Sequence, residues 1–106
     1  MIDLTGRRVV ITGGSRGIGA TSARIFAEAG AAVLVHYRQE EGIAKSLVEE
    51  LVEINDQPHL SFRADLVDPS AIHDLFEFLD DRWGCQDCLV NNAGIWVGTS
   101  LERSSM

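Results

Sequence analysis

A glycine-rich segment near the start of the chain has the residue types and spacing of a phosphate-binding turn. Residues 12–19 read TGGSRGIG and follow the apolar run at 9–11. Gly13 permits a tight turn off a strand, Gly17 permits close approach of a diphosphate to the backbone, and Gly19 permits close packing of a helix against a sheet. Backbone N–H groups at the amino end of that helix would attract the anion. The turn predicts a dinucleotide site, and the alternatives left open by the turn alone are a structural loop, a methyltransferase or a flavoprotein.

Two arginines lie where a second phosphate of the ligand would be bound. An NAD site places a carboxylate after its second strand to accept from the ribose 2′-OH, and that carboxylate would repel a 2′-phosphate. Tyr37 stands where this carboxylate is expected, Arg38 follows it, and Arg16 lies in the glycine turn. A guanidinium donates paired, charge-assisted hydrogen bonds to phosphate oxygens. The pattern predicts NADP(H), and the alternative for Arg38 is a weak surface ion pair with Glu40 or Glu41.

Short apolar runs alternate with longer segments of helical period, and these elements must position the candidate residues. The runs occupy positions 9–11, 32–35, 60–62 and 88–90. Because a helical segment separates each run from the next, the strands are expected to be parallel. The prediction is an α/β fold, a Rossmann-like half with a parallel sheet of about four strands in the order 3-2-1-4 and helices on both faces.

Each helix is predicted from an apolar stripe and its end signals. The first stripe consists of Ile18, Ser22, Ile25, Phe26 and Ala29, with Gly30 ending the helix. The second stripe, within 40–55, consists of Ala44, Leu47, Val48 and Leu51. The third follows the N-cap Asp68 and Pro69 and consists of Ile72, Leu75, Phe76, Leu79 and Trp83, which we interpret as core residues.

Three segments together resemble the short-chain dehydrogenase/reductase family. Residues 12–19 match its TGxxxGxG fingerprint, Asp65-Leu66 matches the site of the aspartate that hydrogen-bonds adenine in that family, and residues 91–94 match its NNAG turn. The resemblance covers residues 4 to about 98 and implies the amino-terminal, NADP(H)-binding portion of an oxidoreductase that transfers hydride to or from a carbonyl or alcohol substrate. The cofactor-binding residues predicted from motif and pattern are Thr12, Gly13, Ser15, Arg16, Gly17, Ile18, Gly19, Tyr37, Arg38, Asp65, Leu66, Asn92, Ala93 and Gly94.

The catalytic residues of the family have no counterpart in this sequence. The family uses a Tyr-x-x-x-Lys pair with a serine and an asparagine, in which the tyrosine exchanges the proton. Tyr37 is the single tyrosine and is followed four residues later by Glu41, and the single lysine, Lys45, lies in a predicted surface helix. We therefore assign no catalytic residue and expect the 106-residue chain to bind its cofactor without turnover. The alternative is a non-catalytic nucleotide-binding or interaction module from a truncated gene or incomplete gene model.

Composition and charge restrict the remaining classes. A length of 106 residues predicts a single domain, and the net charge of −7 argues against nucleic acid as a partner. No apolar run reaches the length of about 20 residues that a membrane helix needs, and the start lacks a signal peptide, which together predict a cytoplasmic protein. Cys85 and Cys88 form a CxxC that could be a redox pair or half a zinc site. We interpret them as reduced thiols and predict no metal site.

The fourth strand is expected to leave an unpaired sheet edge. The apolar residues near it are Leu89, Ile95, Trp96 and Val97. Unpaired edges and bare apolar surface favour association between chains. The sequence therefore predicts self-association through this edge and a low free energy of unfolding.

Overall fold

The structure is a computed structural model that describes residues 3–13, 17–84 and 88–91, the last of these for the backbone only. Strands and helices alternate along it. In chain order they are β1 (Arg8–Thr12), α1 (Gly17–Glu28), β2 (Ala32–Tyr37), α2 (Glu41–Ile54), β3 (Leu60–Arg63), α3 (Pro69–Arg82) and β4 (Cys88–Asn91). None of the helices in this part of the chain has the length and apolar character that a membrane crossing needs.

The strands form one parallel sheet in the order β3-β2-β1-β4, as the sequence predicted. Val9 of β1 lies opposite Val33 of β2 on one side and Cys88 of β4 on the other. Because all strands run the same way, their carboxyl ends meet at one edge of the sheet. Thr12 at the end of β1 is thereby paired with Asn91 at the end of β4.

Both faces of the sheet are covered by helices, which explains the apolar runs in the two inner strands β1 and β2. One core cluster joins alternate residues of β1 and β2 to α1 and α2, and the other joins the intervening residues to α3. The first contains Val9, Ile11, Val33, Val35, Ala44, Leu47 and Leu51. The second contains Val10, Leu34, Ile72, Leu75, Phe76, Leu79 and Trp83.

The apolar stripe predicted for α1 is wrong at Ile18 and Ile25. Ile18 and Ile25 are 76% and 59% exposed, whereas the residues that α1 buries are Gly19, Ala20, Ala23 and Ala27. These small residues let the helix backbone lie close to the sheet, so the two isoleucines remain on the outer surface, whereas Phe26 of the predicted stripe packs against the core. Spacing of large apolar residues therefore identified only part of the buried face of this helix.

The stripes predicted for α2 and α3 are confirmed, as are two helix ends. Helix α3 begins as predicted, because the Asp68 carboxylate accepts from the backbone N–H of Ser70 at 3.0 Å and a proline follows. Helix α1 ends at Glu28, and Gly30 stops it two residues later with a φ of +104°, which suits glycine. The N–H of Gly30 donates to the carbonyl of Ala27 at 2.9 Å, which satisfies one of the last carbonyl groups of the helix.

A buried hydrogen-bond network ties the elements together at the edge where the strands begin. The N–H of Val33 donates to Nδ1 of His59 at 3.1 Å, and Nε2 of that ring donates to Oδ1 of Asn55 at 2.8 Å. The amide of Asn55 in turn donates to the carbonyl oxygens of Ala27 and Ala31 at 2.7 and 3.1 Å. Burial is the main cause that lowers the pKa of His59. This favours the neutral ring, in which Nδ1 can accept from the N–H of Val33.

Candidate functional site

The chain turns from β1 into α1 at the carboxyl edge of the sheet. Thr12 is fully buried at the end of the strand, and Gly13 follows it with φ of +63°. Helix α1 begins at Gly17, whose φ is +54°. Both values lie in the left-handed region that glycine adopts without steric cost. The amino end of α1 therefore faces the edge where the strands end, which is the place where a helix favours an anion.

The backbone at the start of α1 is accessible from outside. A Cβ built on Gly17 meets no atom within 4 Å, so the space beside this residue is open to a ligand. The Ile18 side chain next to it is exposed, and Gly19 is among the residues that the helix buries. Position 17 is thus open, position 19 is packed, and the ligand-binding roles of these glycines stay predictions.

His36 is a functional candidate that the sequence analysis missed. Its side chain is only 3% exposed, and the N–H of Gly13 donates to its Nδ1 atom at 2.8 Å. Because Nδ1 accepts, the ring proton is on Nε2, which donates to the carbonyl of Ala64 at 2.7 Å. Burial is the main cause that lowers the pKa of His36, which favours this neutral ring. The available signal was an ionisable residue within an otherwise apolar strand.

Arg38 lies just beyond the end of β2 with an exposed side chain. Its Nε atom is 3.9 Å from Oδ2 of Asp65, and its backbone carbonyl accepts from Nε of Arg63 at 3.2 Å. The alternative ion pair with Glu41 is not the arrangement seen, because Glu41 pairs with Lys45 at 2.9 Å. Exposed ion pairs are worth at most about 1 kcal/mol, so the contact with Asp65 holds Arg38 only weakly.

An open depression lies between the ends of β2 and β3 and the start of α3. Its volume is about 440 Å³, and Arg38, Arg63, Asp65, Asp68 and Ala71 are among the residues that line it. Such a volume is within the range of small-molecule sites in proteins. The depression therefore offers room for the base and ribose end of a nucleotide.

Three of the predicted residues after β2 and β3 have other local contacts. The Tyr37 and Leu66 side chains are buried in the core clusters on opposite faces of the sheet. The Asp65 carboxylate accepts from the N–H of Val67 at 3.1 Å and so shapes its own turn. The Tyr37 and Leu66 side chains are therefore not exposed to a ligand at this edge, whereas half of the Asp65 side chain is exposed.

The predicted cofactor-binding residues fall into two groups: those that lie at the carboxyl edge of the sheet, and those outside the residues that the structure describes. The first group is Thr12, Gly13, Gly17, Ile18, Gly19, Tyr37, Arg38, Asp65 and Leu66. Outside the described residues are Ser15, Arg16, Asn92, Ala93 and Gly94 of the predicted site. The side chains of Cys85, Cys88 and Leu89, and residues 95–97 of the predicted association surface, are also outside them.

Comparison with known proteins places this geometry in a family. A family model described as short chain dehydrogenase matches residues 7–106. The chain is 36% identical over 104 residues to 3beta-hydroxysteroid dehydrogenase 1 of Eggerthella lenta, which covers 98% of this chain and 40% of that protein. It is 40% identical over 97 residues to (+)-neomenthol dehydrogenase of Arabidopsis thaliana, which covers 90% of this chain and 33% of that protein.

A solved structure supports the same relationship. A short chain dehydrogenase from Burkholderia cenocepacia, solved in complex with NADP, superposes on the chain with a TM-score of 0.80 at 36% identity. The match covers 89% of this chain and 38% of that one. The chain therefore spans two fifths or less of the length of these relatives.

Proposed function

The chain belongs to the short chain dehydrogenase family, and from this we propose that it is the NADP(H)-binding part of an oxidoreductase that acts on a carbonyl or alcohol substrate. One observation carries the proposal. Gly13 at the end of β1 and Gly17 at the start of α1 lie at the same edge of the sheet at which Arg38 follows β2. In an open parallel sheet, a dinucleotide binds outside the carboxyl ends of the strands.

The glycine turn is proposed to hold the diphosphate of the cofactor. The amino end of α1 supplies backbone N–H groups and the positive end of the helix dipole, both of which favour a dianion. Gly17 leaves open space beside its backbone, which a side chain would fill. Residues outside the described ranges that we assign to the same site are Ser15, Arg16, Asn92, Ala93 and Gly94.

Arg38 is proposed to select the 2′-phosphate of NADP(H). Position 37 carries a tyrosine with a buried side chain instead of a carboxylate, so the end of β2 presents no acidic group at that position. The exposed Arg38 guanidinium is held only by a weak contact with Asp65 and can turn to a phosphate at small cost. Asp65 would accept a hydrogen bond from the adenine. The bound nicotinamide would supply the hydride chemistry.

Titration with reduced cofactors tests the proposal. We expect NADPH to bind the purified full chain at least about tenfold more tightly than NADH, because one charge-assisted contact is worth roughly 1.5–3 kcal/mol. Binding is followed by the fluorescence of the reduced nicotinamide, with adenosine 2′,5′-bisphosphate as the competitor for the adenosine end. Equal affinity for the two cofactors would overturn the NADP(H) assignment, and no binding of either would overturn the dinucleotide site.

A further inference from the structure

The His36 ring connects the two backbone segments between which the proposed dinucleotide would lie. On one side it accepts from the N–H of Gly13, the first residue of the glycine turn. On the other it donates to the carbonyl of Ala64, the residue directly before Asp65. Strand β2 lies between β1 and β3, so one side chain of the middle strand reaches the ends of both neighbours.

We infer that His36 is a positioning residue, which holds the glycine turn and the segment at Asp65 at a fixed separation so that the diphosphate and the adenine of a dinucleotide are bound at once. The inference rests on the proposed function for its ligand. A rigid ligand site needs its loops fixed before binding, because ordering them afterwards reduces affinity. A neutral imidazole suits this task, since it offers one acceptor and one donor in fixed directions.

A buried histidine can also serve only to satisfy backbone groups, and His59 is an internal comparison for that role. His59 also accepts from a backbone N–H through Nδ1 and donates through Nε2, but it does so at the opposite edge of the sheet. Both rings are buried. Loss of either ring therefore removes one hydrogen bond accepted from a backbone N–H and one donated hydrogen bond, which goes to the Ala64 carbonyl from His36 and to the Asn55 side chain from His59. Of the two rings, only His36 contacts the glycine turn.

Conservative substitutions can separate the two hydrogen bonds of His36. An asparagine places its amide oxygen close to the position of Nδ1, and a glutamine places its amide nitrogen close to the position of Nε2. His36→Asn therefore keeps the acceptor for Gly13, and His36→Gln keeps the donor to Ala64. His36→Leu keeps neither contact, and His59→Leu is the matched control.

Cofactor titration of these variants tests the inference. We expect His36→Leu and His36→Gln to weaken NADPH binding by roughly tenfold, because the Gly13 N–H loses its fixed acceptor. His36→Asn loses the bond to Ala64, so the separation of the two segments is no longer fixed and NADPH binding should weaken by roughly threefold. His59→Leu should lower the melting temperature as much as His36→Leu does while it leaves the affinity for NADPH unchanged. Wild-type affinity in His36→Gln, or equal weakening in His59→Leu, would overturn the inference.

Amide hydrogen exchange distinguishes failure of this inference from failure of the proposed function. The Gly13 amide should exchange slowly in the wild type and in His36→Asn, and much faster in His36→Gln and His36→Leu. This reading needs no cofactor and is taken under conditions in which circular dichroism shows each variant to be folded. A wild type that binds no NADPH would overturn the proposed function, whereas unchanged exchange at Gly13 would overturn the role of His36 even if NADPH binds.

Discussion

The Arg38 guanidinium lies 3.9 Å from the Asp65 carboxylate, across the gap between the ends of β2 and β3. Both side chains are more than half exposed, so water screens the attraction and the pair adds little to stability. The contact matters because it puts a negative charge beside the group proposed to bind a phosphate. Arg38 and Asp65 are thus expected to have opposite effects on cofactor choice.

Replacement of Arg38 should remove most of the preference for NADPH. We expect Arg38→Ala to weaken NADPH by about tenfold or more and NADH by less than about threefold, because only NADPH carries the 2′-phosphate. Arg82→Ala is the control, since Arg82 is also exposed but ends α3 at the far side of the molecule. The measurement is the dissociation constant of each reduced cofactor by fluorescence. Equal losses of affinity for NADPH and NADH would show that Arg38 does not bind the 2′-phosphate.

Neutralising Asp65 should increase the preference for NADPH. In Asp65→Asn the amide oxygen can still accept from the N–H of Val67, so the turn keeps its hydrogen bond. Loss of the carboxylate weakens the proposed contact with the adenine for both cofactors alike, whereas removal of one negative charge near the phosphate should raise the preference for NADPH over NADH by roughly two- to fivefold at low salt. Repeating the titration in high salt should reduce the gain, because exposed charges are screened there. An equal change in affinity for both cofactors would contradict an electrostatic cause.

The glycine turn should tolerate a side chain at position 17 in the free protein but not in the complex. Because the space beside Gly17 is open, Gly17→Ala should cost only about 1–2 kcal/mol of stability, from its φ of +54°. The added methyl group would occupy the space proposed for the diphosphate, so NADPH affinity should fall by roughly tenfold or more. Urea unfolding and cofactor titration measure the two effects. Undiminished NADPH affinity would place the diphosphate elsewhere.

Gly30 should show the reverse behaviour. A Cβ on Gly30 lies 2.6 Å from Oγ1 of Thr5 and 3.1 Å from its backbone, and φ is +104°. Gly30→Ala is therefore expected to cost about 2 kcal/mol or more while NADPH affinity stays unchanged. Gly42→Ala is the control in α2, where φ is ordinary for a side chain and no atom lies within 4 Å. That variant should be neutral or slightly more stable, by about 0.5 kcal/mol.

The parts of the fold that the sequence predicted are those in which residue type and burial agree. The strands were recognisable because both faces of the sheet are covered, which leaves apolar runs. Helix α3 was recognisable because a capping aspartate and a proline stand directly before its apolar stripe. The face of α1 was not, because alanine and glycine form the contact and exposed isoleucines dominate the spacing.

The candidate site was predictable only in part, for a related reason. The glycines indicate the turn because few other residues adopt its backbone angles. Arg38 could be predicted because position 37, directly before it, carries a tyrosine where an NAD site has a carboxylate. His36 is marked in the sequence only as an ionisable residue in an apolar strand, and its role depends on hydrogen bonds to backbone groups of two distant segments. Tyr37 was included through its neighbour Arg38, yet its side chain turns into the core. Contacts to backbone and side-chain direction at strand ends need the folded geometry.

Acid should destabilise the protein through its two buried histidines before its carboxylates are affected. Burial lowers the pKa values of His36 and His59 below their usual 6.5, so the unfolded chain binds protons that the folded chain does not. Stability is therefore full above about pH 6.5 and falls as pH decreases toward the folded pKa values. The carboxyl pKa values of Glu41 and Glu50, lowered by hydrogen bonds from Lys45 and Arg24, matter only below about 4.5.

Urea unfolding at about pH 7.5 and 5.5 isolates this effect. We expect the wild type to lose stability at the lower pH, because a protonated ring can no longer accept from the N–H of Gly13 or Val33. A double variant, His36→Asn with His59→Asn, keeps an acceptor at both places without a titrating group, so its loss should be much smaller. His73→Asn, on the exposed surface of α3, should keep the wild-type difference. If the double variant loses as much stability as the wild type between the two pH values, the acid sensitivity does not originate in these rings.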